Sequence, residues 1–309
     1  MFEHIIHRLA AAALVLLAVS FVTYLMLNAA PGDLALTLIG DSASQQQLTE
    51  LRQELGLDEP VVVRYLRYMA GVVLRGDLGR SMISDRPVTS LILERLPFTL
   101  ALALASIALA GLTGFVLGWL AVRHVGAFWD TALMGLAALG AALPSFWIAL
   151  LLIMAFALRL DWLPVVGADS PKHLILPAVT LSLPSAAVLA RLVRSSLLDV
   201  IGADFVRTAY AKGLVRSQVM WRHVLRNAAI PIVTLLALQL GYLLGGAFIV
   251  ETIFAWPGLG RLTVQAIFDR DYPVVLGATL MIAAVYISLN LIADLCQAWL
   301  DPRTGANAL

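Results

Sequence analysis

Seven cationic side chains are concentrated in one short stretch of a chain that is otherwise poor in charge. The same stretch holds only two acids, Asp199 and Asp204. Such a basic segment suits either contact with anionic lipid or docking onto a soluble partner. The stretch is therefore the first candidate for a functional site. Its cations are Arg191, Arg194, Arg207, Lys212, Arg216, Arg222 and Arg226.

Common catalytic motifs are missing from the sequence. It contains no GxxxxGK[ST] loop to hold nucleotide phosphates and no HExxH pair to bind zinc. The single cysteine, Cys296, excludes an intrachain disulfide and a cysteine-based zinc site. No histidine falls in the middle of an apolar run beside a serine, which argues against an intramembrane serine protease. We expect no catalytic residue, no metal site and no cofactor bound by this chain.

The composition is that of a membrane protein. Of 309 residues, 61% are hydrophobic and 13% are charged, and the mean hydropathy is +0.89. Soluble domains carry about 25% charged residues, roughly twice this share. The net charge of +1 says little about partners, so the distribution of charge along the chain carries the information.

Six apolar runs approach or exceed the roughly 20 residues that cross a bilayer. We predict an all-α integral membrane protein with six transmembrane helices. The first run is longer than the apolar core of a signal peptide, so we expect it to be retained as a span. Prolines within the runs (Pro144, Pro177, Pro184 and Pro231) are expected to act as packing kinks. The runs are residues 9–30, 98–122, 131–158, 174–190, 227–250 and 272–293.

The basic segment predicts the orientation. Burying its seven cations in the bilayer would cost about 20 kcal/mol, so residues 191–228 form a loop, and their charge makes that loop cytoplasmic. Six spans then place both termini in the cytoplasm and residues 31–97, 159–173 and 251–271 outside. The external 31–97 segment holds seven arginines and nine acids, but long loops translocate largely regardless of charge.

The 31–97 segment is predicted to form a small external helical cap. One helix runs from Ser44 to Leu55, capped by Ser42 or Ser44, and ends at Gly56. A second helix opens after Pro60 and continues to Gly71.

We expect one transmembrane domain over residues 1–309. Asp294, near the inner end of the last span, is the main candidate for a charge in the membrane, and a structural or interfacial role is favoured for it.

Within the basic segment, the residue order predicts two short helices joined by a glycine elbow. Asp204 is expected to cap a helix over Phe205 to Lys212, and Gly213 suits the left-handed position that ends it. Ser217 is expected to cap a second helix from Gln218 onward. On that helix Arg222 and Arg226, four residues apart, share one face. From these features alone, lipid contact and docking to a partner remain equal alternatives.

The order of residues in this segment resembles the cytoplasmic loop of ABC-transporter permeases of the binding-protein-dependent dipeptide, oligopeptide and nickel family. The matching residues are Arg207-Thr208-Ala209-x-Ala211-Lys212-Gly213, followed by His223-x-Leu225-Arg226-Asn227-Ala228-x-x-Pro231. The more general motif has a glutamate where this chain has Arg207, so no role of a glutamate is transferred.

Further motifs of this family occur in order along the chain. They are Ala30-Pro31-Gly32-Asp33, Leu55-Gly-Leu-Asp-Glu-Pro60, Gly76-Asp77-Leu78-Gly79-x-Ser81, Glu251-Thr-Ile-Phe-Ala-Trp-Pro-Gly-Leu-Gly-Arg261, Arg270-Asp-Tyr-Pro-Val274 and Asp301-Pro302-Arg303. Several long motifs in the right order are far more specific than one, and the resemblance extends over essentially the whole chain.

The resemblance implies a type I ABC importer permease in the bacterial inner membrane. Its partners would be a homologous second permease, two ATPase subunits that bind ATP and Mg²⁺, and a periplasmic binding protein. The cytoplasmic loop would couple to an ATPase through Arg207, Thr208, Ala209, Lys212, Gly213, Arg222, His223, Arg226 and Asn227. A turn facing the binding protein would comprise Glu251, Trp256, Pro257, Gly258, Gly260 and Arg261.

The family implies a di- or oligopeptide or related small solute as cargo, with nickel or a metal chelate as the alternative. Because the spans contain no histidine, a bare metal ion would find few ligands along the path. A secondary carrier is less favoured, because the spans hold few ionisable groups. A channel is less favoured because no pore-lining repeat or ring of charge is present.

Overall fold

The computed structural model describes residues 2–29, 44–54 and 59–300. Over these ranges the chain is helical, with turns between the helices and one isolated bridge between Arg80 and Pro87. The predicted all-α fold is confirmed. The Ala30–Asp33 and Asp301–Arg303 motifs lie outside the described residues, as do Leu55 to Asp58 and the side chain of Asp294.

Twelve α-helices follow one another in the described part of the chain, with two π-helical turns. The π-helical turns are Ile153–Arg159 and Val219–Val224. The α-helices are α1 Phe2–Ala29, α2 Gln45–Glu54, α3 Val61–Arg75, α4 Val88–Arg123, α5 Phe128–Ala142, α6 Ser145–Leu152, α7 Lys172–Ile201, α8 Asp204–Ala211, α9 Arg216–Gln218, α10 Leu225–Ile253, α11 Leu259–Phe268 and α12 Tyr272–Leu300.

Five helical segments are long and apolar enough to cross a membrane, and a bent pair of helices makes up a sixth candidate. The straight candidates are Ala10–Ala29, Val88–Arg123, Lys172–Ile201, Arg216–Ile253 and Tyr272–Ala293. These segments correspond to five of the six predicted spans. Several helices extend beyond the predicted apolar runs, because helical hydrogen bonding continues into polar flanks that hydropathy excludes.

The third predicted span is not one straight helix. Helix α5 ends at Ala142, α6 begins at Ser145, and the bend between Phe128–Ala142 and Ser145–Arg159 is 104°. Pro144 lies at the break, in extended backbone with ψ of 139°. Proline lacks an N–H and favours the first turn of a helix, so it starts α6 instead of kinking a continuous span.

The chain divides into two compact units. The first comprises Met1–Pro97 with Gly258–Ile287, and the second comprises Phe98–Pro257 with Ser288–Leu309. In the second unit, α4 and α7 approach closely at two glycines. A Cβ on Gly114 would lie 2.8 Å from the Ala186 carbonyl oxygen, and one on Gly118 would lie 2.6 Å from that of Ala190. Only glycine permits this approach.

In the first unit, a buried carboxylate joins two of the sequence motifs. Asp271 accepts a hydrogen bond from the Ser81 hydroxyl at 2.5 Å and another from the Met82 backbone N–H at 3.1 Å. Asp271 and Ser81 are both buried. The loop before α4 is thereby attached to the residues that begin α12.

The two helices predicted between the first two spans are present. The Ser44 hydroxyl accepts from the Gln47 N–H, and the Gln47 side chain accepts from the Ser44 N–H at 2.9 Å, which is a capping box at the start of α2. Helix α3 begins after Pro60 as predicted but continues past Gly71 to Arg75. It ends at Gly76, whose φ of +63° is left-handed.

Candidate functional site

The basic segment, predicted as a loop from residue 191, begins inside α7, which continues to Ile201. Helix α8 follows and is terminated by Gly213 as predicted. Gly213 has a φ of +82°, and its N–H donates to the Tyr210 carbonyl at 2.9 Å. The Leu214 N–H donates to the Ala209 carbonyl at 3.3 Å. These two bonds form a Schellman motif, which satisfies the last carbonyls of the helix and reverses the chain direction.

Neither predicted side-chain cap is present in this segment. The N-cap of α8 is Ala203, so Asp204 is already the first helical residue and its carboxylate lies 3.6 Å from the Arg207 guanidinium. Its charge still complements the positive end of the helix dipole. Similarly, Val215 takes the extended N-cap position of α9, which places Ser217 inside the helix. The helix therefore begins one residue earlier than predicted at α8 and two residues earlier at α9.

The second helix of the segment is continuous with a membrane span. Helix α9 passes through the π-helical turn Val219–Val224 into α10, so that residues Arg216–Ile253 form one long helical segment. The prediction of two short helices is therefore wrong for the second of them. A π-helical turn inserts an extra residue and often marks a functional position.

The turn and the residues after it place their polar side chains around one open surface depression, which we call the basic depression. Asn227 donates to the His223 carbonyl at 2.6 Å, which holds its amide against the helix. The indole of Trp221 is largely exposed and lies 5.9 Å from the ring of Trp119. The basic depression is lined by Trp221, Arg222, His223, Arg226 and Asn227.

The residues predicted to couple to an ATPase differ in their exposure to solvent. Arg207, Thr208, Lys212 and Gly213 are exposed on α8 and its end. The Thr208 hydroxyl donates to the Asp204 carbonyl at 3.0 Å. Ala209, in contrast, is buried, so its methyl group packs inward and is not available to a partner.

The buried side of the basic segment packs against α4 and α7. Val206, Ala209, Val219 and Val224 are buried in one apolar cluster. The same cluster contains Val122 of α4 and Leu189, Val193 and Leu197 of α7. Because a packed cluster transmits displacement, a force applied to the outer face of this segment reaches both helices.

One of the seven cations is used inside the protein, which the sequence did not indicate. Arg194 donates two hydrogen bonds of 2.6 Å to the carboxylate of Asp130, on the first turn of α5. The Gly126 N–H also donates to Asp130 at 3.3 Å. Asp130 is buried, and the Arg194 side chain is 30% exposed. A bidentate pair of this kind fixes the relative position of α5 and α7.

A second polar contact lies at the end of α10. Glu251 is fully buried in the second unit, and Thr99 of α4 donates its hydroxyl hydrogen to Glu251 at 2.7 Å. The sequence placed Glu251 just past the end of a span, in a turn directed at a partner. The structure instead places this carboxylate inside the protein, in the last turn of the helix.

The other residues of the predicted partner-facing turn divide between the two units. In the second unit, Trp256 is buried, and its indole N–H donates to the Phe98 carbonyl at 2.9 Å. Pro257 is half-buried. In the first unit, Gly258 precedes α11, Gly260 is buried within it, and Arg261 is half-buried. Glu251 and Trp256 thus support the turn from inside.

Among the described residues, no group of three or more histidine, cysteine, aspartate or glutamate side chains lies close enough together to hold a metal ion. The two glycines Gly114 and Gly118 were not singled out in the sequence. Their GxxxG spacing is a signal for close helix packing and could have identified them.

The described residues form five straight candidate spans and a sixth that is bent, which is the architecture of a multi-pass membrane protein. Two family models match the chain. Residues 114–306 match the binding-protein-dependent transport system inner membrane component, and residues 1–103 match the N-terminal part of the membrane component of such systems. The chain belongs to this family. It is a multi-pass translocation subunit of an ABC importer in the bacterial inner membrane, and ATP hydrolysis occurs in partner subunits.

Curated relatives match almost the full chain. The glutathione transport system permease protein GsiC of Salmonella paratyphi A (strain ATCC 9150 / SARB42) is 42% identical over 302 residues, which cover 98% of each chain. The protein of the same name from Escherichia coli (strain K12) is 41% identical over the same length and coverage.

Solved transporters share the fold. An inward-facing structure of the MetNI methionine ABC transporter matches 69% of this chain and 97% of its own, with a TM-score of 0.57 and 18% identity. A crystal structure of an amino acid ABC transporter with histidines matches 68% and 94%, with a TM-score of 0.54 and 16% identity. At these identities the likeness concerns the fold alone.

Proposed function

We propose that the chain is one of two homologous permease subunits that together form the path for a small peptide of the glutathione class. A periplasmic binding protein delivers the solute, and two ATPase subunits bind ATP with Mg²⁺ and hydrolyse it to drive transport. The observation that carries the proposal is the basic depression. It is an exposed polar surface on a helical segment that continues directly into a span.

The basic depression suits docking to an ATPase better than contact with lipid alone. Besides its two arginines it contains the indole of Trp221, the imidazole of His223 and the amide of Asn227. This mixture of groups is typical of a protein interface. A site for lipid headgroups needs only cations near the membrane surface. The apolar cluster beneath the segment would transmit movement of the ATPase to α4 and α7, which is what coupled transport requires.

The orientation proposed here follows the distribution of basic residues. With the basic segment in the cytoplasm, both termini are cytoplasmic, and the 31–97 cap and the turn around Trp256 are periplasmic, where the binding protein docks. Reporter fusions after residues 90, 165 and 213 test this orientation. Cytoplasmic signals from the fusions after residues 90 and 165 would show that the orientation is the opposite one.

The proposed cargo rests on the curated relatives, whose names specify glutathione. Transport tests it directly. The complete importer with its binding protein, reconstituted in liposomes, should take up labelled glutathione only when ATP is supplied. Uptake of a nickel chelate in place of glutathione would support the alternative cargo, and ATP-independent exchange would indicate a secondary carrier.

A further inference from the structure

The first unit contains a half-open cavity of about 340 Å³ that the proposed transport function does not use. It lies between the last turns of α1, one side of α3, the loop over residues 77–82 and the first turn of α12. Leu27, Leu78 and Leu276 give it an apolar wall, and Arg64, Tyr68 and Asp77 contribute polar groups. Its volume is within the range of binding sites for small molecules.

The polar groups of this cavity have unused hydrogen-bonding capacity. Within the described part of the chain, the Arg64 guanidinium has no hydrogen bond or ion pair, and the nearest aromatic contact is the Tyr24 ring, with a centroid at 6.0 Å. The Tyr68 hydroxyl is buried with no hydrogen-bond partner among the same residues. Since burying such a group without a partner costs free energy, a ligand that accepts a hydrogen bond from this hydroxyl would be stabilised.

Two charged residues that line the cavity, Arg67 and Asp77, differ in how much of their hydrogen-bonding capacity is already used. Arg67 donates to both carboxylate oxygens of Glu59, at 2.9 and 2.7 Å, so its charge is already compensated. Asp77 accepts one hydrogen bond from the Gly79 N–H at 2.8 Å through Oδ1 and is exposed at the cavity mouth. Burial raises the pKa of Tyr68, and the Asp77 carboxylate raises it further, so the phenol keeps its proton and remains a donor.

The position of the cavity corresponds to the boundary of the bilayer. The candidate span Ala10–Ala29 ends beside it, and the candidate span Tyr272–Ala293 begins there. Two antiparallel spans therefore meet the headgroup region on the same side at this point. The ligand best suited to this depth has a polar head and an apolar body.

The outer face of α3 carries the second, independent observation. This face is apolar and exposed at Val62, Leu66, Val73 and Leu74. The face that carries Tyr65 packs on α1, where the Tyr65 hydroxyl is 2.8 Å from that of Ser20 and donates to the Leu17 carbonyl at 3.1 Å. An amphipathic helix attached halfway along an apolar span presents its free apolar face to lipid.

We propose that this cavity binds a phospholipid whose headgroup carries a primary ammonium. The phosphate pairs with Arg64 and accepts from the Tyr68 hydroxyl, and the ammonium pairs with Asp77. The part of an acyl chain nearest the headgroup lies along Leu27 and Leu276. The apolar face of α3 favours a lipid over a soluble zwitterion of the same charge pattern.

Native mass spectrometry of the complete importer tests the site with three lipids of identical acyl chains. The probes are phosphatidylethanolamine, phosphatidylcholine and phosphatidylglycerol. Phosphatidylethanolamine should bind at least fivefold more tightly than phosphatidylcholine, whose quaternary nitrogen cannot donate hydrogen bonds. Equal affinity of these two lipids for the unmodified importer would overturn the proposal.

Single substitutions assign the binding to the cavity. Arg64→Gln should weaken both phosphatidylethanolamine and phosphatidylcholine about tenfold, and Asp77→Asn should remove the preference between them. Tyr68→Phe keeps the packing of the ring and should weaken both lipids several-fold, so it tests the site even where Arg64→Gln misfolds. Arg75→Gln, on the same helix but outside the cavity, is the matched control.

A competition experiment with the soluble headgroup distinguishes a membrane lipid from a soluble zwitterion as the ligand. Glycerophosphoethanolamine at millimolar concentration should not displace the lipid. If it binds as tightly as the lipid, the cavity is a site for soluble zwitterions and the lipid assignment is wrong. Unchanged lipid binding by both Arg64→Gln and Tyr68→Phe would also refute it.

Discussion

Arg194 holds Asp130 through two hydrogen bonds of 2.6 Å, although 64 residues separate them in the sequence. The pair lies at the start of α5 and near the end of α7, in the first residues of the basic segment. Arg194 therefore contributes to the rigid base of that segment instead of to its outer surface. The proposed docking surface of the basic segment comprises Arg207, Lys212, Arg222 and Arg226.

Breaking the Arg194–Asp130 pair should destabilise the protein, because the buried Asp130 loses its partner. Arg194→Gln and Asp130→Asn should each cost about 2–3 kcal/mol, below the usual range for fully buried pairs because Arg194 is partly exposed. The double variant should cost less than the sum, because no charge is then left unpaired. Unfolding in detergent measures all three, and strict additivity would show that the two groups do not interact.

The contact between α4 and α7 should tolerate no side chain at Gly118. Gly118→Ala places a Cβ within 2.6 Å of a backbone oxygen, so the helices must separate, at a cost of about 1–3 kcal/mol. Gly135 of α5 has no neighbour within 4 Å of an added Cβ and provides the control. Thermal unfolding should show loss of stability for Gly118→Ala and none for Gly135→Ala. Equal effects would contradict the close approach.

The glycine elbow should be required for coupling. Gly213→Val must place a β-branched residue at a φ of +82°, which costs about 1–2 kcal/mol and displaces α8 from α9. We expect ATP hydrolysis without transport, or loss of the ATPase subunits. Gly213→Asn, whose side chain tolerates the left-handed region, should retain most of the activity. Normal uptake and assembly by Gly213→Val would refute the role of the elbow.

The basic depression should bind the ATPase through its charges. Reversing Arg222 and Arg226 to glutamate should lower the amount of ATPase that copurifies at least tenfold, while insertion in the membrane stays normal. Arg159→Glu provides the control, since it reverses an exposed arginine at the end of the π-helical turn after α6. Unchanged copurification of the double variant would favour contact with lipid.

Hydropathy and local turn chemistry predicted most of the fold. The spans follow from the length of apolar runs, and Gly213 and Gly76 end helices because the left-handed position suits glycine. Pro144 was expected to kink a span and instead separates two helices, since hydropathy does not distinguish a kink from a break. The caps predicted at Asp204 and Ser217 were wrong, because the apolar residues Ala203 and Val215 hold the N-cap positions.

The polar contacts within the fold could not be predicted in this way. Arg194 meets Asp130, and Thr99 meets Glu251, across 64 and 152 residues of sequence. Such pairs depend on which helix faces pack together, and one sequence does not specify that packing. The charge of Arg194 predicts a basic loop. The end of the predicted span at residue 250 and the family resemblance predict an external turn at Glu251.

Site-specific photocrosslinking tests the central claim most directly. A photoreactive amino acid is introduced at position 226 in the basic depression and, as a control, at position 159, and the complete importer is irradiated in its membrane. The account predicts a crosslink from position 226 to an ATPase subunit and none to an ATPase from position 159. Crosslinks from position 226 to lipid or to the binding protein, with none to an ATPase, would contradict it.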